Sequence, residues 1–334
     1  MEQPWLMDFR QPYSAAAGSV LVLGTFDGVH LGHQALMQQG RRLSKELACP
    51  LTVMTFHPHP MKVLFPEKAP PLLTTLMERA EYLTKYGADR LVVMRFNRQM
   101  AAESPKMFLH RLEEMRPMAV VVGYNFTFGR QAAGDASTLE KWGMMHGVQV
   151  KMVPRVTMRG EGISSTRIRQ LILEGNVEGA TKLLGHTYVL SGYVERGKGI
   201  GRTMGFPTAN ISIDPERVLP AFGVYLCTLS MQGNTYPAVV NVGHHPTLPE
   251  GAVTVEAHLP GVHLDLYSQR VRLTLMRYLR AEIKFDSMEA LQAQIGQDVA
   301  KAEQFFARIG IRGEQNQEST SADESASADQ AEEV

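Results

Sequence analysis

"GTFDGVHLGH", residues 24–33, follows the apolar run Val20-Leu21-Val22-Leu23 and leads into "GHQALMQQGRRLSKELA", where Leu36, Leu43 and Leu47 recur on one helical face. A strand that turns through glycines into a helix aims backbone N–H groups and the positive end of the helix dipole at one place, which suits an anion. Gly24, Gly28 and Gly32 leave room for close approach. His30 and His33, three apart at the helix entry, can face the same way. The stretch lacks a Walker lysine and the dinucleotide glycine fingerprint. Three roles stay open for the histidines: packing, metal binding with His57 and His59 of "TFHPHP" as candidate partners, and donation to phosphate oxygens. The glycine-rich setting favours phosphate.

Working outward, "LTVMTF", "MAVVVG" and "VQVKMV" read as further buried strands. "SPKMFLHRLEEM" reads as a helix with Ser104 as cap, Pro105 at its first position and Phe108, Leu109, Leu112 and Met115 on its apolar side. Such alternation implies an α/β domain with a parallel sheet covered on both faces, which binds ligands beyond the carboxyl ends of its strands. "SSTRIRQLILEG" and "NVEGATKLL" follow as two short helices, with Ser165 and Asn176 as expected caps. Within "GISSTRIRQ", residues 162–170, Ser164, Ser165 and Thr166 offer hydroxyl and backbone donors and Arg167 adds charge, so a second anion-shaped helix start lies in the same domain.

Beyond Gly185 the texture changes. "TYVLSGYVERG", "GVYLCTLSMQG", "TYPAVVNVG", "AVTVEAHL" and "QRVRLTLMRYL" are short β-branched runs separated by Gly and Pro, the pattern of an antiparallel barrel or sandwich. A closing helix carries Met288, Leu291, Ile295, Val299, Ala302, Phe306 and Ile309 at helical spacing, with Asp286 and Glu289 as an expected capping box. "ERGKGIGRTMGFPTAN", residues 195–210, fits no standard phosphate loop and by itself reads as a mobile surface loop. Thr208 and Asn210, two apart, face one side if extended, and their oxygens suit Mg²⁺. Glu256 in "TVEAHL" by itself reads as a solvated strand position.

The bulk numbers fit this division. The 334 residues imply about two domains, and 44% hydrophobic with 20% charged residues is ordinary for a globular protein. Net charge is zero, but residues 313–334 hold seven acidic and no basic side chains, so of the 34 acidic residues 27 remain against 34 basic ones elsewhere. The expected units are 1–185, 186–312 and a disordered acidic tail at 313–334. Cys49 and Cys227 form no CxxC and suggest neither a disulfide framework nor a zinc site. No secretory signal and no membrane-length apolar run is evident, so a cytoplasmic enzyme is expected, with small-molecule partners and neither nucleic acid nor membrane. Oligomeric state is left open.

"GTFDGVHLGH", "TFHPHP", "VVGYNFTFG", "ISSTRIR" and "GRTMGFPTAN", in this order, resemble the bacterial bifunctional riboflavin kinase/FMN adenylyltransferases; the first half resembles class I nucleotidylyltransferases at large. The resemblance runs from about residue 18 to about residue 308. It implies a Rossmann-like adenylyltransferase domain followed by an antiparallel β-barrel kinase domain with a closing helix. It also implies ATP, riboflavin and FMN as substrates and Mg²⁺ as cofactor. His30 and His33 would hold the triphosphate and stabilise the transition state. Gly24, Phe26, Asp27, Asn125, Ser165, Thr166 and Arg167 would bind nucleotide or phosphate; for Asp27 a turn-stabilising role is equally open. In the kinase half Thr208 and Asn210 would bind Mg²⁺, Gly197, Gly199, Gly201 and Gly205 would form a flap over the nucleotide, Glu256 would be the base, and Arg280 would lie near the flavin. "HLPGVHLDLY" departs from the family's "LDFDGDLY" pattern at Gly261, Val262 and His263. A nucleotidylyltransferase for another phosphorylated acceptor, with a non-catalytic flavin-binding β domain, explains the histidines but leaves "GFPTAN" without a role. A tRNA synthetase explains the histidines as well, but no tRNA-binding appendage is evident.

Overall fold

The structure, a computed structural model, describes residues 6–8, 18–197, 200–244, 253–262 and 264–311. Gly199, His263 and the expected tail at 313–334 lie outside these residues.

Six parallel strands form the first sheet: β1 (Leu6–Asp8), β2 (Ser19–Leu23), β3 (Leu51–His57), β4 (Arg90–Arg95), β5 (Pro117–Gly123) and β6 (Gln149–Val153), in the order β1-β4-β3-β2-β5-β6. Alternate residues serve opposite faces. Val20, Val22 and Val121 pack with Leu36, Met37 and Leu43 of α1 (Leu31–Glu46) and with Ala80 and Leu83 of α2 (Leu76–Lys85). Leu21, Leu23 and Val120 pack with Phe108 and Leu112 of α3 (Pro105–Glu114) and with Leu139 and Trp142 of α4 (Ala136–His146). After β4 the chain crosses from one side of β2 to the other, so the topological switch point lies between β2 and β5. "GTFDGVHLGH" leaves β2 there, and "YNFTFG" leaves β5 beside it.

Ser104 caps α3 by accepting from the Met107 N–H at 3.3 Å, as read from the sequence. Strand β6 corrects an expectation: it is an edge strand paired only with β5, with Gln149, Lys151 and Met152 exposed rather than buried.

Two helices, α5 (Ser165–Leu173) and α6 (Val177–Leu184), lead to the second domain. The cap of α5 is Ser164, not Ser165: Ser164 is extended and its Oγ accepts from the Arg167 N–H at 3.3 Å, whereas Ser165 is already helical. Asn176 caps α6 as expected, and Gly185 ends it at φ 74°.

The second domain is a barrel, not a sandwich. Its strands are β7 (Tyr188–Glu195), β8 (Thr208–Ile213), β9 (Gly223–Met231), β10 (Asn234–His244), β11 (Val253–His258) and β12 (Arg270–Arg280). They close antiparallel in the order β7-β8-β11-β10-β9-β12. Leu190, Val194, Tyr225, Cys227, Val240, Ala257 and Leu273 fill the interior. The closing helix α7 (Met288–Arg308) lays Ala302 and Phe306 on Val224, Leu226 and Val239 outside the barrel. Its cap is Ser287, which accepts from the Ala290 N–H at 3.2 Å. Glu289 is therefore the second helical residue, not the third, and forms no capping box with Asp286. Met288 and Ile309, at the ends of the expected apolar stripe, are exposed.

The boundary expected at residue 185 falls within continuous packing. Ile168, Ile172, Val177, Ala180, Leu183 and Leu184 of α5 and α6 share one apolar cluster with the barrel interior. Arg272 pairs with Glu81 at 2.9 Å and Arg277 with Glu178 at 3.0 Å across the same junction.

Candidate functional site

A cleft of about 1360 Å³ opens at the carboxyl ends of β2 and β5. Its lining includes donor-bearing residues, Gly24, Thr25, His30, Gly32, His33, Asn125, Ser164, Ser165, Thr166 and Arg169, and apolar ones, Phe56, Phe65, Phe96, Met100, Phe108, Phe126 and Phe128. Two helix starts, those of α1 and α5, contribute to it, and the first N–H groups of each helix have no partner within the helix.

His30 is itself the cap of α1: its Nδ1 accepts from the His33 N–H at 3.3 Å, so the neutral ring carries its proton on Nε2. The two imidazoles stack with centroids 3.7 Å apart and planes 12° apart. Burial outweighs the attraction of Asp27 and lowers the pKa of His30 to about 4. Burial, the neighbouring His30 and the Arg79 charge hold His33 well below its ordinary value. Near neutral pH both rings are therefore uncharged hydrogen-bond donors rather than cations. A side chain at Gly32 would meet the His30 ring, its Cβ 3.0 Å from Cε1. His59 caps the short helix Pro60–Leu64 by accepting from the Met61 N–H at 3.3 Å. Among the described residues no three His, Cys, Asp or Glu side chains are grouped to hold a metal, so nothing favours a metal role for the histidines.

Phe26 and Asp27 lie behind the cleft rather than on it. Phe26 is fully buried with φ 53°, and Val29 has φ 38°, both in the region disfavoured for residues with a Cβ; the surrounding packing holds the loop in this shape. Asp27 accepts from the N–H groups of Leu73 (3.0 and 3.1 Å) and Thr74 (3.0 Å), from Thr74 Oγ1 (3.1 Å) and from Arg169 Nη2 (2.5 Å), with Arg79 Nη2 at 3.8 Å. Burial raises its pKa, but the two arginines and the two N–H groups outweigh it and leave the carboxyl below its ordinary value. A buried anion so fully bonded shapes the loop and has no reason to face a phosphate.

Ser165 reinforces the same loop, its Oγ donating to Asp27 O at 2.8 Å. Arg167 pairs with Glu161 at 2.7 Å and does not line the cleft; Arg169, not among the expected residues, lines it together with Lys68, Arg98 and Arg130. Helical spacing carries the signal: Arg169 is four residues from Ser165 and shares its face, whereas Arg167 is two away.

The second constellation lies on the barrel's outer surface. Asn210, Glu256 and Asn241 are in direct cross-strand register on β8, β11 and β10, so their side chains stand on one face. Asn241 was not among the expected residues. Thr208 lies two residues from Asn210 on the same face and opposite His258. Gly197 lies so close to Asn210 that a Cβ would be 1.9 Å from its Nδ2. The segment expected as an irregular loop contains the short helix Ile200–Thr203, and Gly201 allows the Phe206 carbonyl to approach to 2.4 Å of a built Cβ. Gly205 takes φ 80° at the turn that follows. Gln292 Nε2 of α7 donates to Met204 O at 3.2 Å and ties the segment to the closing helix. Arg280 is engaged in a clasp with that helix: its Nε and Nη2 reach Asp298 at 2.9 and 2.7 Å.

A nucleotide-binding parallel sheet with paired donor-rich helix starts, joined to a barrel with an oxygen-donor row on its outer face, defines a two-domain phosphate-transfer protein. Residues 13–167 match the FAD synthetase family model and residues 184–306 the riboflavin kinase model, leaving 168–183 of α5 and α6 between them. The chain is 37% identical over 292 residues to the bifunctional riboflavin kinase/FMN adenylyltransferase of Escherichia coli strain K12, covering 86% of this chain and 93% of that one. It is 34% identical over 298 residues to the protein of that name from Bacillus subtilis strain 168, covering 88% and 94%. A solved structure from Streptococcus pneumoniae, described as a macrolide-efflux protein, superposes with a TM-score of 0.82 at 31% identity, covering 90% of this chain and 99% of that one. Among the described residues of the present chain no helix is long and apolar enough to cross a membrane. The chain belongs to the bifunctional riboflavin kinase/FMN adenylyltransferase family.

Proposed function

We propose that this chain makes FAD from riboflavin in two ATP-dependent steps, the first on the outer face of the barrel and the second in the α/β cleft. The observation that carries the reading is the cleft's mixed lining: donor-rich helix starts together with six phenylalanines around about 1360 Å³, more than the roughly 300–1,000 Å³ of a single small-ligand site. The donor groups suit the phosphates of ATP and of FMN, and the phenylalanines suit a flat aromatic ring system.

In the adenylyl transfer an oxygen of the FMN phosphate attacks the α-phosphorus of ATP, and pyrophosphate leaves with the electrons of the broken P–O bond. The nucleophile is already an anion, so no general base is needed, and catalysis is positioning and charge stabilisation. His30 Nε2–H and the His33 ring donate to the triphosphate, the N–H groups at the starts of α1 and α5 bind phosphate oxygens, and positive charge comes from the cations that line the cleft, Lys68, Arg98 and Arg130, with the charge of Arg169 shared with Asp27. Gly24 allows close approach, and Asn125 at the end of β5 contacts nucleotide. Phe26, Asp27 and Ser165 hold the loop in shape.

In the kinase step a ribityl hydroxyl attacks the γ-phosphorus of ATP and ADP leaves. Glu256 accepts the hydroxyl proton, and Asn241 orients that carboxylate from the adjoining strand. Thr208 and Asn210 form a neutral oxygen-donor pair beside an acidic residue, a set that fits Mg²⁺ shared with nucleotide phosphates. The cation supplies charge neutralisation on those phosphates. The segment bearing Gly197, Gly201 and Gly205 covers the nucleotide, and Arg280 anchors α7 rather than touching the flavin. The absence of a membrane-length helix among the described residues and the small-molecule substrates fit action in the cytoplasm.

The test is chromatographic separation of flavins after incubation with riboflavin, ATP and Mg²⁺. FMN forms first and FAD follows; FMN supplied alone with ATP gives FAD and pyrophosphate. Failure to form FMN from riboflavin overturns the assignment of the barrel, and failure to form FAD from FMN overturns that of the cleft.

A further inference from the structure

We propose that Arg217, a residue of the barrel domain that does not line the cleft, is a positioning residue for adenylyl transfer. The inference rests on the roles assigned above to the loop 24–30.

The link is the segment Leu72-Leu73-Thr74. On one side its N–H groups at Leu73 and Thr74 donate to Asp27, and Thr74 Oγ1 accepts from the Gly28 N–H at 3.0 Å. On the other side the barrel holds its carbonyls: Arg217 Nε donates to Leu72 O at 3.3 Å and Nη2 to Leu73 O at 2.7 Å. The same guanidinium donates to Glu78 Oε2 at 2.6 Å and to Val189 O at 2.7 Å. Its side chain is 0% exposed and that of Glu78 2%. Backbone pairing completes the hold, with Leu72 N–H donating to Glu216 O at 2.7 Å and Val218 N–H to Leu72 O at 3.0 Å.

Three residues thus carry the loop that bears His30 on one edge and the other domain on the opposite edge. Neither hold is loose: Asp27 is a buried anion and Arg217 a buried cation, and this segment supplies three of the donors to Asp27 and two of the acceptors for Arg217. Glu78 sits at the crossing, because its other oxygen accepts from Ser191 of the barrel at 2.8 Å and it forms the capping box of α2 with Thr75. Without Arg217 the Leu73 carbonyl loses its 2.7 Å donor and the Leu72 carbonyl keeps only the Val218 N–H, the segment relaxes toward the space left, and Asp27 moves with it. A misplacement of about 1 Å at a positioned group costs about 100-fold in rate.

The test uses the full chain carrying Arg217→Ala or Arg217→Lys, with two assays on each preparation. FMN plus MgATP reads the adenylyl step alone, and riboflavin plus MgATP reads FMN formation and counts folded chains. In Arg217→Ala the kcat for FAD formation falls about 10- to 100-fold and the KM for ATP rises, while kinase kcat and KM stay within about twofold. Arg217→Lys, which keeps a charge for Glu78 and one carbonyl, recovers most of the loss. A purely structural role lowers both activities in proportion and leaves the KM of the surviving enzyme unchanged; that result overturns the proposal, as does parental FAD formation in Arg217→Ala. If Arg217→Ala does not fold, Glu78→Gln is expected to lower FAD formation alone by a smaller factor, and an unchanged rate there overturns the proposal. Failure of the parent chain to make FAD from FMN overturns the functional reading and this inference with it, whereas an active parent beside an unaffected variant overturns only the inference.

Discussion

Replacing Asp27 with Asn tests the account of the adenylyl loop most directly. The carboxylate is 1% exposed, accepts from three backbone and hydroxyl donors at 3.0–3.1 Å, and lies 2.5 Å from Arg169 and 3.8 Å from Arg79. The amide keeps the shape, but it removes the one negative charge between two buried guanidinium groups and turns one acceptor into a donor facing donors. Breaking a buried pair from one side costs about 3–5 kcal/mol. At roughly 2–4 °C per kcal/mol for a unit of this size, the unfolding midpoint at pH 7 falls by about 6–20 °C in calorimetry. The pH dependence has a definite sign. Asp27 is held below its ordinary value of 3.8, so its contribution is complete above that value and is lost as pH falls through the lower folded pKa. The gap between parent and variant is therefore constant from pH 8 to about 5 and closes below pH 3.8. A midpoint lowered by less than about 2 °C, or a gap that closes between pH 7 and 5, refutes the reasoning.

Other outcomes are as specific. His33→Ala lowers FAD formation about 10²–10³-fold while FMN accumulates, and Asn210→Ala does the reverse, abolishing FMN formation but not the conversion of supplied FMN; separated flavins read both. Gly197→Ala places a methyl group 1.9 Å from Asn210 Nδ2, displaces that amide, and lowers the kinase kcat/KM at least about tenfold with the adenylyl step unchanged. His30 has a folded pKa of about 4 against an ordinary 6.5, so the unfolded chain takes up the proton first on acidification. Its share of stability, about 3 kcal/mol, is lost between pH 6.5 and 4, and urea unfolding shows His30→Gln losing less over that interval than the parent.

Local rules recovered what local physics decides. The alternation of Val20 to Leu23, the spacing of Leu36 and Leu43, Ser104 before Pro105, and Asn176 before α6 each stand within a few residues of the feature they create. The adjacency of His30 and His33 was legible for the same reason. What escaped depends on partners far along the chain. Asp27 is bonded to Leu73 and Thr74, 46 and 47 residues away, which is why the sequence left its turn-stabilising and ligand-binding roles equally open. Asn241 joins Glu256 only through barrel register. Strand β6 has the composition of a buried strand and is exposed because no strand follows it in the sheet. The cap expected at Ser165 belongs to Ser164, and helical spacing counted from there brings Arg169 to the face that lines the cleft.

The packing of α5 and α6 against the barrel bears on how such a chain can be taken apart. The start of α5 lines the cleft of one domain, while Ile168, Ile172, Val177, Ala180, Leu183 and Leu184 pack with the interior of the other. A break at Gly185 leaves a sticky apolar face on the first fragment and uncovers its counterpart on the second, a liability for solubility in both. With part of the core shared in this way, a single cut at that point does not leave each fragment with a closed core of its own.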